Sequence, residues 1–262
     1  MTGPTSFNPN IPSIARTYDY LLGGKDNYPV DREVGEIFIK RFPGAVQIAV
    51  DNRGCLVRAV DFMATDLGVT QFIDLGSGLP TVDNVHEVAQ RAKPGARVVY
   101  VDNDPIVLAH GRALLAENEF TRVVKADVRH PGQILAAKDT NALIDFRRPV
   151  GIIASAILHH ITDAEDPLNI IRAFHDAIAP GSYLFVSHFR TLGDPDSAVL
   201  EEVMLQAFGR GTWRTSTQIA EYFEGTQLLA PGIVPCALWR PEKDPDELTV
   251  YQRLVVAGLG RK

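Results

Sequence analysis

The sequence predicts an α/β fold, a mostly parallel sheet covered by helices and preceded by a helical cap. Three observations carry this reading. Short apolar runs recur at 71–75, 97–101, 121–125, 150–155 and 182–187. Helical patterns separate them at about 82–92, 105–117, 131–138 and 165–178. Alternation of this kind builds a parallel sheet with both faces covered. Runs such as VVYV and GIIAS are apolar throughout, as strands buried on both faces are.

The elements follow in order. Residues 1–12 hold three prolines and few apolar side chains, and are expected as an extended arm. Ser13 can cap a helix whose apolar positions are Ile14, Tyr18, Leu21 and Leu22. Gly23-Gly24 ends it. A second helix starts near Pro29, with Asp31 and Glu33 in its first turn, and stops before Pro43. A third covers about 45–67 and is closed by Gly68. After the alternating region, LLAPGIVPCALW is turn-rich and ELTVYQRLVVAGLG reads as a final strand. Residues 1–65 are expected as a cap or lid and 66–262 as the core, together one structural domain.

The chain has 262 residues, 45% of them apolar, and a formal net charge of -6. Such a balance supports a folded core and disfavours a protein that tracks a phosphate backbone, so nucleic acid is not an expected partner. Cys55 and Cys236 lie far apart and no CxxC occurs, so two reduced thiols and no metal site are expected. The start MTGPTSFNPNIPS lacks the basic and apolar regions of a signal peptide. No apolar run approaches the ~18 residues of a membrane span. A soluble cytoplasmic protein is the expectation.

The stretch FIDLGSGLPT places Asp74, Gly76, Ser77 and Gly78 at the end of the first strand, before a helix expected to be capped by Thr81. Glycines there let a backbone approach a ligand. A dinucleotide fingerprint needs a third glycine where Thr81 stands. Asp74 would repel a pyrophosphate and attract an ammonium group. S-adenosylmethionine carries that ammonium and no phosphate. The second strand ends VYVDNDP, where Asp102 can accept hydrogen bonds from ribose hydroxyls. The third ends VVKADVRHP, where Asp127 can accept from an adenine amino group.

In these strings the chain resembles a class I S-adenosylmethionine-dependent methyltransferase over roughly 66–262. It is similar, over nearly its whole length, to a family of predicted bacterial methyltransferases of undefined acceptor. The strings IARTYDYLLGGKDNYPVDRE, DLGSGLPT with NVHEVAQ, and VVYVDNDPIVLAHGRALL carry that likeness. The resemblance implies a Rossmann-like, seven-stranded, mostly parallel sheet with an antiparallel C-terminal strand. It implies S-adenosylmethionine as cofactor. The expected cofactor-binding set is Asp74, Gly76, Ser77, Gly78, Asp102, Asn103, Asp127, Val128 and Ser155. Tyr20 or Tyr28 and Asn27 or Asp26 join it if the N-terminal segment is a lid hinged at Gly23-Gly24. Arg53 is a further candidate, for the cofactor carboxylate.

Two departures bear on the acceptor. Pro149-Val150 stands where many relatives of this class begin the fourth strand with Asp. ASAI stands where a subset carries Asn/Asp-Pro-Pro-aromatic, which argues against methylation of exocyclic amines. After that strand, AILHHITDAED resembles the Leu-His-Asp-Trp-like turn of small-molecule O-methyltransferases. His159 matches their base, His160 replaces their Asp and Ile161 their Trp. His188 and Trp239 are candidate linings of an acceptor pocket. The expected function is methyl transfer to a small-molecule oxygen or nitrogen centre, with a homodimer left open as the assembly. Two alternatives stand beside it. One is an NAD-dependent Rossmann oxidoreductase. The other, favoured by the lack of an unambiguous base, is a non-catalytic S-adenosylmethionine-binding regulator.

Overall fold

The computed structural model describes residues 8–114, 118–193, 195–243, 245 and 247–262. The arm expected at 1–12 and the end of the helix expected at 105–117 therefore lie partly outside the described residues. Strands β1 (Gln71–Leu75), β2 (Arg97–Asp102), β3 (Thr121–Lys125), β4 (Gly151–Ser155) and β5 (Tyr183–Phe189) pair in parallel in the order β3-β2-β1-β4-β5. The sheet continues with β6 (Gln227–Leu228), β7 (Val234–Pro235) and β8 (Val255–Arg261). β8 runs antiparallel beside β5, and β6 and β7 each pair antiparallel with β8. The eight strands exceed the expected seven because the Pro231-Gly232 turn splits the edge segment into two short pieces.

Side-chain alternation along the strands feeds two apolar layers. Phe72 and Val98 face one, with Val60 and Met63. Ile73 and Val99 face the other, with Ile170 and Phe174. Val60 and Met63 belong to α3 (Ala45–Thr65), so this long helix lies on the sheet.

Ahead of it, α1 (Ile14–Leu21) and α2 (Pro29–Arg41) form a hairpin. Gly23 ends α1 with φ +78°. Asp31 ties the hairpin together. It accepts from Arg16 Nε at 2.7 Å, the backbone N–H of Tyr28 at 2.8 Å and that of Ser13 at 2.9 Å. Both charges are buried, and the backbone donors add to the hydrogen bonds a buried pair needs.

The crossover helices depart from expectation at their ends. α4 (Val85–Ala92) opens at Val85, because Asn84 and not Thr81 is its cap; Glu87 at the third position accepts from the Asn84 N–H at 2.7 Å. α5 (Pro105–Leu114) follows β2. The pattern at 131–138 breaks at Ala137 into α6 (Pro131–Ala136) and α7 (Lys138–Leu143). α8 (Pro167–Ala177) starts after Asp166, whose left-handed backbone (φ +52°) turns the chain and whose carboxylate accepts from Asn169 N. Beyond β5 come α9 (Pro195–Phe208) and α10 (Ser216–Glu221). The apolar spacing of Leu200, Val203, Met204, Ala207 and Phe208 marks α9 as helical. Among the described residues no helix is long and apolar enough to cross a membrane.

Candidate active site at the carboxyl edge of the sheet

A cavity of about 430 Å³ runs along the carboxyl ends of the parallel strands. It sits where strand order reverses between β1 and β4, the usual ligand crevice of an open α/β sheet. Helices α1, α2, α3 and α9 supply its roof and far wall through Tyr18, Phe38, Ala49 and Met204.

Gly76 and Gly78 both adopt positive φ, +66° and +67°. They are not equivalent. A Cβ on Gly76 would sit 2.5 Å from Ile157 Cδ1, whereas one on Gly78 would meet nothing within 4 Å. Gly76 is therefore required by the packing of the turn after β4. Gly78 borders the open cavity. Gly76 N–H and Ser77 N–H both donate to Val101 O, which pins the turn to β2. Because α4 starts only at Val85, its N-terminus does not directly follow the glycine turn, as a pyrophosphate cradle requires.

Asp74 and Arg53 present complementary charge to this cavity. Asp74 is buried, and no donor reaches its carboxylate among the described residues. Burial pushes its pKa up to about 7, against the pull of Arg53 and with a further push from Asp102. A buried carboxylate without donors calls for a cation. Arg53 donates through Nη2 to Val82 O and Asp83 O, at 3.1 and 2.9 Å. Among the described residues its buried Nε has no hydrogen-bond partner. An ammonium for Asp74 and a carboxylate for Arg53 would complete both.

Asp102 accepts from the Gly78 N–H at 3.0 Å and the Asp104 N–H at 2.9 Å. Burial nonetheless raises its pKa. Each carboxylate oxygen keeps lone-pair capacity for a ribose hydroxyl. Asp127 is held by Arg129, whose hydrogen bonds keep its pKa down at about 2. Asn103 reaches Asp127 at 3.4 Å. Ser77, Asn103, Val128 and Ser155 line the cavity as well.

Tyr20 and Asn27 do not line it. The ring of Tyr20 lies over Gly35, where a Cβ would come within 2.3 Å of Tyr20 Cδ1, and its hydroxyl hydrogen-bonds Glu36. Asn27 donates to Asp19 and Gly24 O, buttressing the α1–α2 turn. The missing side chain at Gly35 draws Tyr20 onto α2 instead. From the same helix it is Tyr18 that faces the cavity. Its hydroxyl donates to Ala49 O at 3.0 Å and accepts from Asn52 Nδ2 at 3.0 Å. Burial pushes its pKa up to about 12. Asn52 Oδ1 in turn accepts from Ser187 Oγ at 2.6 Å, and Ser187 Oγ lies 3.2 Å from Ser155 Oγ. A polar chain thus joins α1, α3, β4 and β5 beneath the cavity.

His159 and His160 belong to a 3-10 turn, Leu158–His160, and both line the cavity. Their rings lie 4.0 Å apart, and His159 also meets Phe189 edge-on at 4.8 Å. Burial drives the His159 pKa well below its ordinary value and that of His160 down to about 3, so both are neutral near pH 7. The turn is clamped from the segment after α9. Arg214 donates to Leu158 O at 3.1 Å, Ile161 O at 2.8 Å and Asp163 at 2.7 Å, and contacts His188 Nε2 at 3.0 Å. Thr212 N–H donates to His159 O at 2.8 Å. His188 is committed to this clamp and to Phe189 O, and Trp239 to core packing on Phe62 and Phe185; neither lines the cavity. Asn52, Arg210 and Arg214 carry no sequence motif. Their placement follows from long-range packing.

A family model described as S-adenosyl methyltransferase matches residues 2–262. A candidate methyltransferase from Thermobifida fusca, known from its crystal structure, shares 46% identity. It superposes with a TM-score of 0.94 over 99% of this chain and 98% of that one. A DUF574-family protein from Streptomyces avermitilis shares 36% identity, with a TM-score of 0.92 over 96% and 98%. The carboxy-S-adenosyl-L-methionine synthase of Geobacter metallireducens is 23% identical over 79% of this chain and 82% of its own. The chain belongs to the S-adenosyl methyltransferase family and is an S-adenosylmethionine-dependent enzyme. The unpaired Asp74 and Arg53 atoms and the open space at Gly78 fit that cofactor's ammonium, carboxylate and main body.

Proposed function

We propose that this family member methylates a small molecule, at an oxygen or nitrogen centre, held in the far half of the cavity. One observation carries the reading. The cavity at the glycine turn is also lined by Phe38, Leu200, Met204, Phe208 and Phe189, and its volume of about 430 Å³ is of small-molecule dimensions. The grouping of the acids and the glycine turn at the strand ends supports the cofactor contacts of this reading. Asp102 takes the ribose, Asp127 the adenine amino group, Asp74 the ammonium, and the Gly76–Gly78 turn the intervening atoms, with Ser77, Asn103, Val128 and Ser155 around them. Residues 1–65 act as a cap over the 66–262 core.

The bound cofactor supplies an electrophilic methyl on a sulfonium. The protein aligns the acceptor, excludes water and receives a proton. His159 is the proposed proton acceptor. Its low basicity is compatible with that role at an oxygen centre with late transfer, because a hydroxyl oxygen becomes strongly acidic as its new bond to carbon forms. Replacing His159 with Ala should then lower turnover on the order of 100-fold or more with S-adenosylmethionine affinity unchanged.

Incubation of the full chain with labelled S-adenosylmethionine and a panel of small acceptors tests the proposal. Methylated product and S-adenosylhomocysteine are expected together. Tight binding with no turnover on any acceptor would favour a regulator. A carboxylated S-adenosylmethionine in place of S-adenosylhomocysteine would turn the assignment toward the activity named for the Geobacter protein.

A further inference from the structure

The two halves of the cavity differ in charge. Among the described residues its acids are Asp74, Asp102, Asp104 and Asp127, all at the ends of β1, β2 and β3. Beyond β4 the lining has no carboxylate, and the one cation there is Arg210. Its Nη1 donates to His160 O at 3.1 Å, and its Nη2 lies 3.5 Å from Glu165. Glu165 is held more closely by Arg129, at 2.5 Å, so the Arg210 charge is the less fully countered.

The chamber is also lined by aromatic rings. Phe38 and Phe208 stack at 6.1 Å with planes 20° apart. Phe189, stacked on Trp213 at 4.5 Å and 15°, is a third aromatic ring of the lining. Neutral polar groups gather where this chamber meets the cofactor half: the hydroxyls of Ser155 and Tyr18, the Asn52 amide and the His159 imidazole. An ammonium entering here would lose its water, find no anion and lie near both Arg210 and the sulfonium. An uncharged or ionising hydroxyl on an aromatic ring suffers none of these penalties. Rings prefer such offset aromatic walls.

Resting on the methyltransferase reading above, we propose that the acceptor is a flat aromatic compound presenting a hydroxyl, and not an ammonium, to the methyl donor. An oxygen lone pair forms the new O–CH3 bond while the C–S bonding pair returns to sulfur as a neutral thioether. The hydroxyl proton passes to His159. Arg210 penalises an acceptor that enters as a cation and spares one that enters as a neutral hydroxyl, and the aromatic lining sets the ring plane.

The test uses the full-length protein saturated with S-adenosylhomocysteine, titrated calorimetrically with 2-naphthol and with 2-naphthylmethylammonium, which share a ring system and differ in charge. The naphthol should bind about tenfold tighter or more. Equal or tighter binding of the ammonium, or no binding of either probe below about 1 mM, overturns the proposal. A prior titration with S-adenosylhomocysteine separates the two readings. Its failure strikes the cofactor site itself, whereas a reversed probe preference strikes only the acceptor class. Met204→Glu, which adds an anion to the chamber, should shift the preference toward the ammonium by about tenfold. An unchanged ratio in the folded variant counts against the proposal, and should that variant fail to fold, the wild-type ratio alone decides.

Discussion

The hydroxyl of Ser13, at the start of the cap, donates to the Asp104 carboxylate at 2.8 Å across 91 residues of sequence. Asp104 lies in the turn after β2, two residues beyond Asp102, and its other oxygen accepts from Ile106 N–H at the head of α5. The bond therefore ties the α1–α2 hairpin to the strand edge proposed to hold the cofactor. Ser13→Ala should weaken S-adenosylmethionine binding by about 0.5–1.5 kcal/mol, seen as faster dissociation in stopped-flow measurements, with little change in melting temperature. An unaltered dissociation rate would leave the cap without a hold on the ligand.

Asp74 links binding and stability to pH. Its pKa in the folded protein, about 7, lies above the unfolded carboxylate value. Between roughly pH 4 and 7 the native state therefore holds the proton that the unfolded state has lost, and stability falls as pH rises across that window. Asp74→Asn removes this term. The variant should melt higher than the wild type at pH 8, by a margin that shrinks toward pH 5, while losing most of its affinity for S-adenosylmethionine. A margin independent of pH would contradict the raised pKa. The wild type should also release a proton on binding the cofactor below pH 7, measurable by calorimetry in buffers of different ionisation enthalpy.

The two glycines of the turn should separate experimentally. Gly76→Ala drives a methyl into Ile157 and strains a left-handed backbone, so loss of folding stability dominates. Gly78→Ala carries the backbone strain of about 1–2 kcal/mol without a clash inside the protein, and its methyl borders the cavity. Its larger effect should fall on cofactor affinity. Equal loss of melting temperature in both variants would dispute this division.

Removing the Asp102 carboxylate takes away the proposed ribose acceptor and frees the Gly78 N–H. Asp102→Ala should weaken S-adenosylmethionine by ~1–3 kcal/mol. Unchanged calorimetric affinity would remove Asp102 from the site.

Arg214 acts at one remove, as a positioning residue for the histidine turn. Arg214→Met orphans the buried carbonyls of Leu158 and Ile161, at on the order of 1–3 kcal/mol each. Beyond its instability, the variant at low temperature should show reduced kcat with cofactor affinity retained. Equal losses of both would make Arg214 a general stabiliser only.

Much of this molecule is legible from local chemistry. Continuous apolar strands, helical periods between them, and acids beside a glycine turn are properties of a few neighbouring residues. They suffice for the parallel sheet, for the turn after β1, and for Asp74, Asp102 and Asp127 at the carboxyl edge. Tertiary structure decided what lies across that edge. Which tyrosine of the YDY triplet faces the cavity depends on Gly35, fifteen residues beyond Tyr20, having no side chain. That Asn52 meets Ser187 depends on α3 docking on the sheet, and that Arg214 grips the turn at 158–161 depends on the segment after α9 returning beside the end of β5. Local propensity and period act within a turn or a strand; the acceptor chamber and the burial that keeps its histidines neutral arise only when distant segments pack and exclude water.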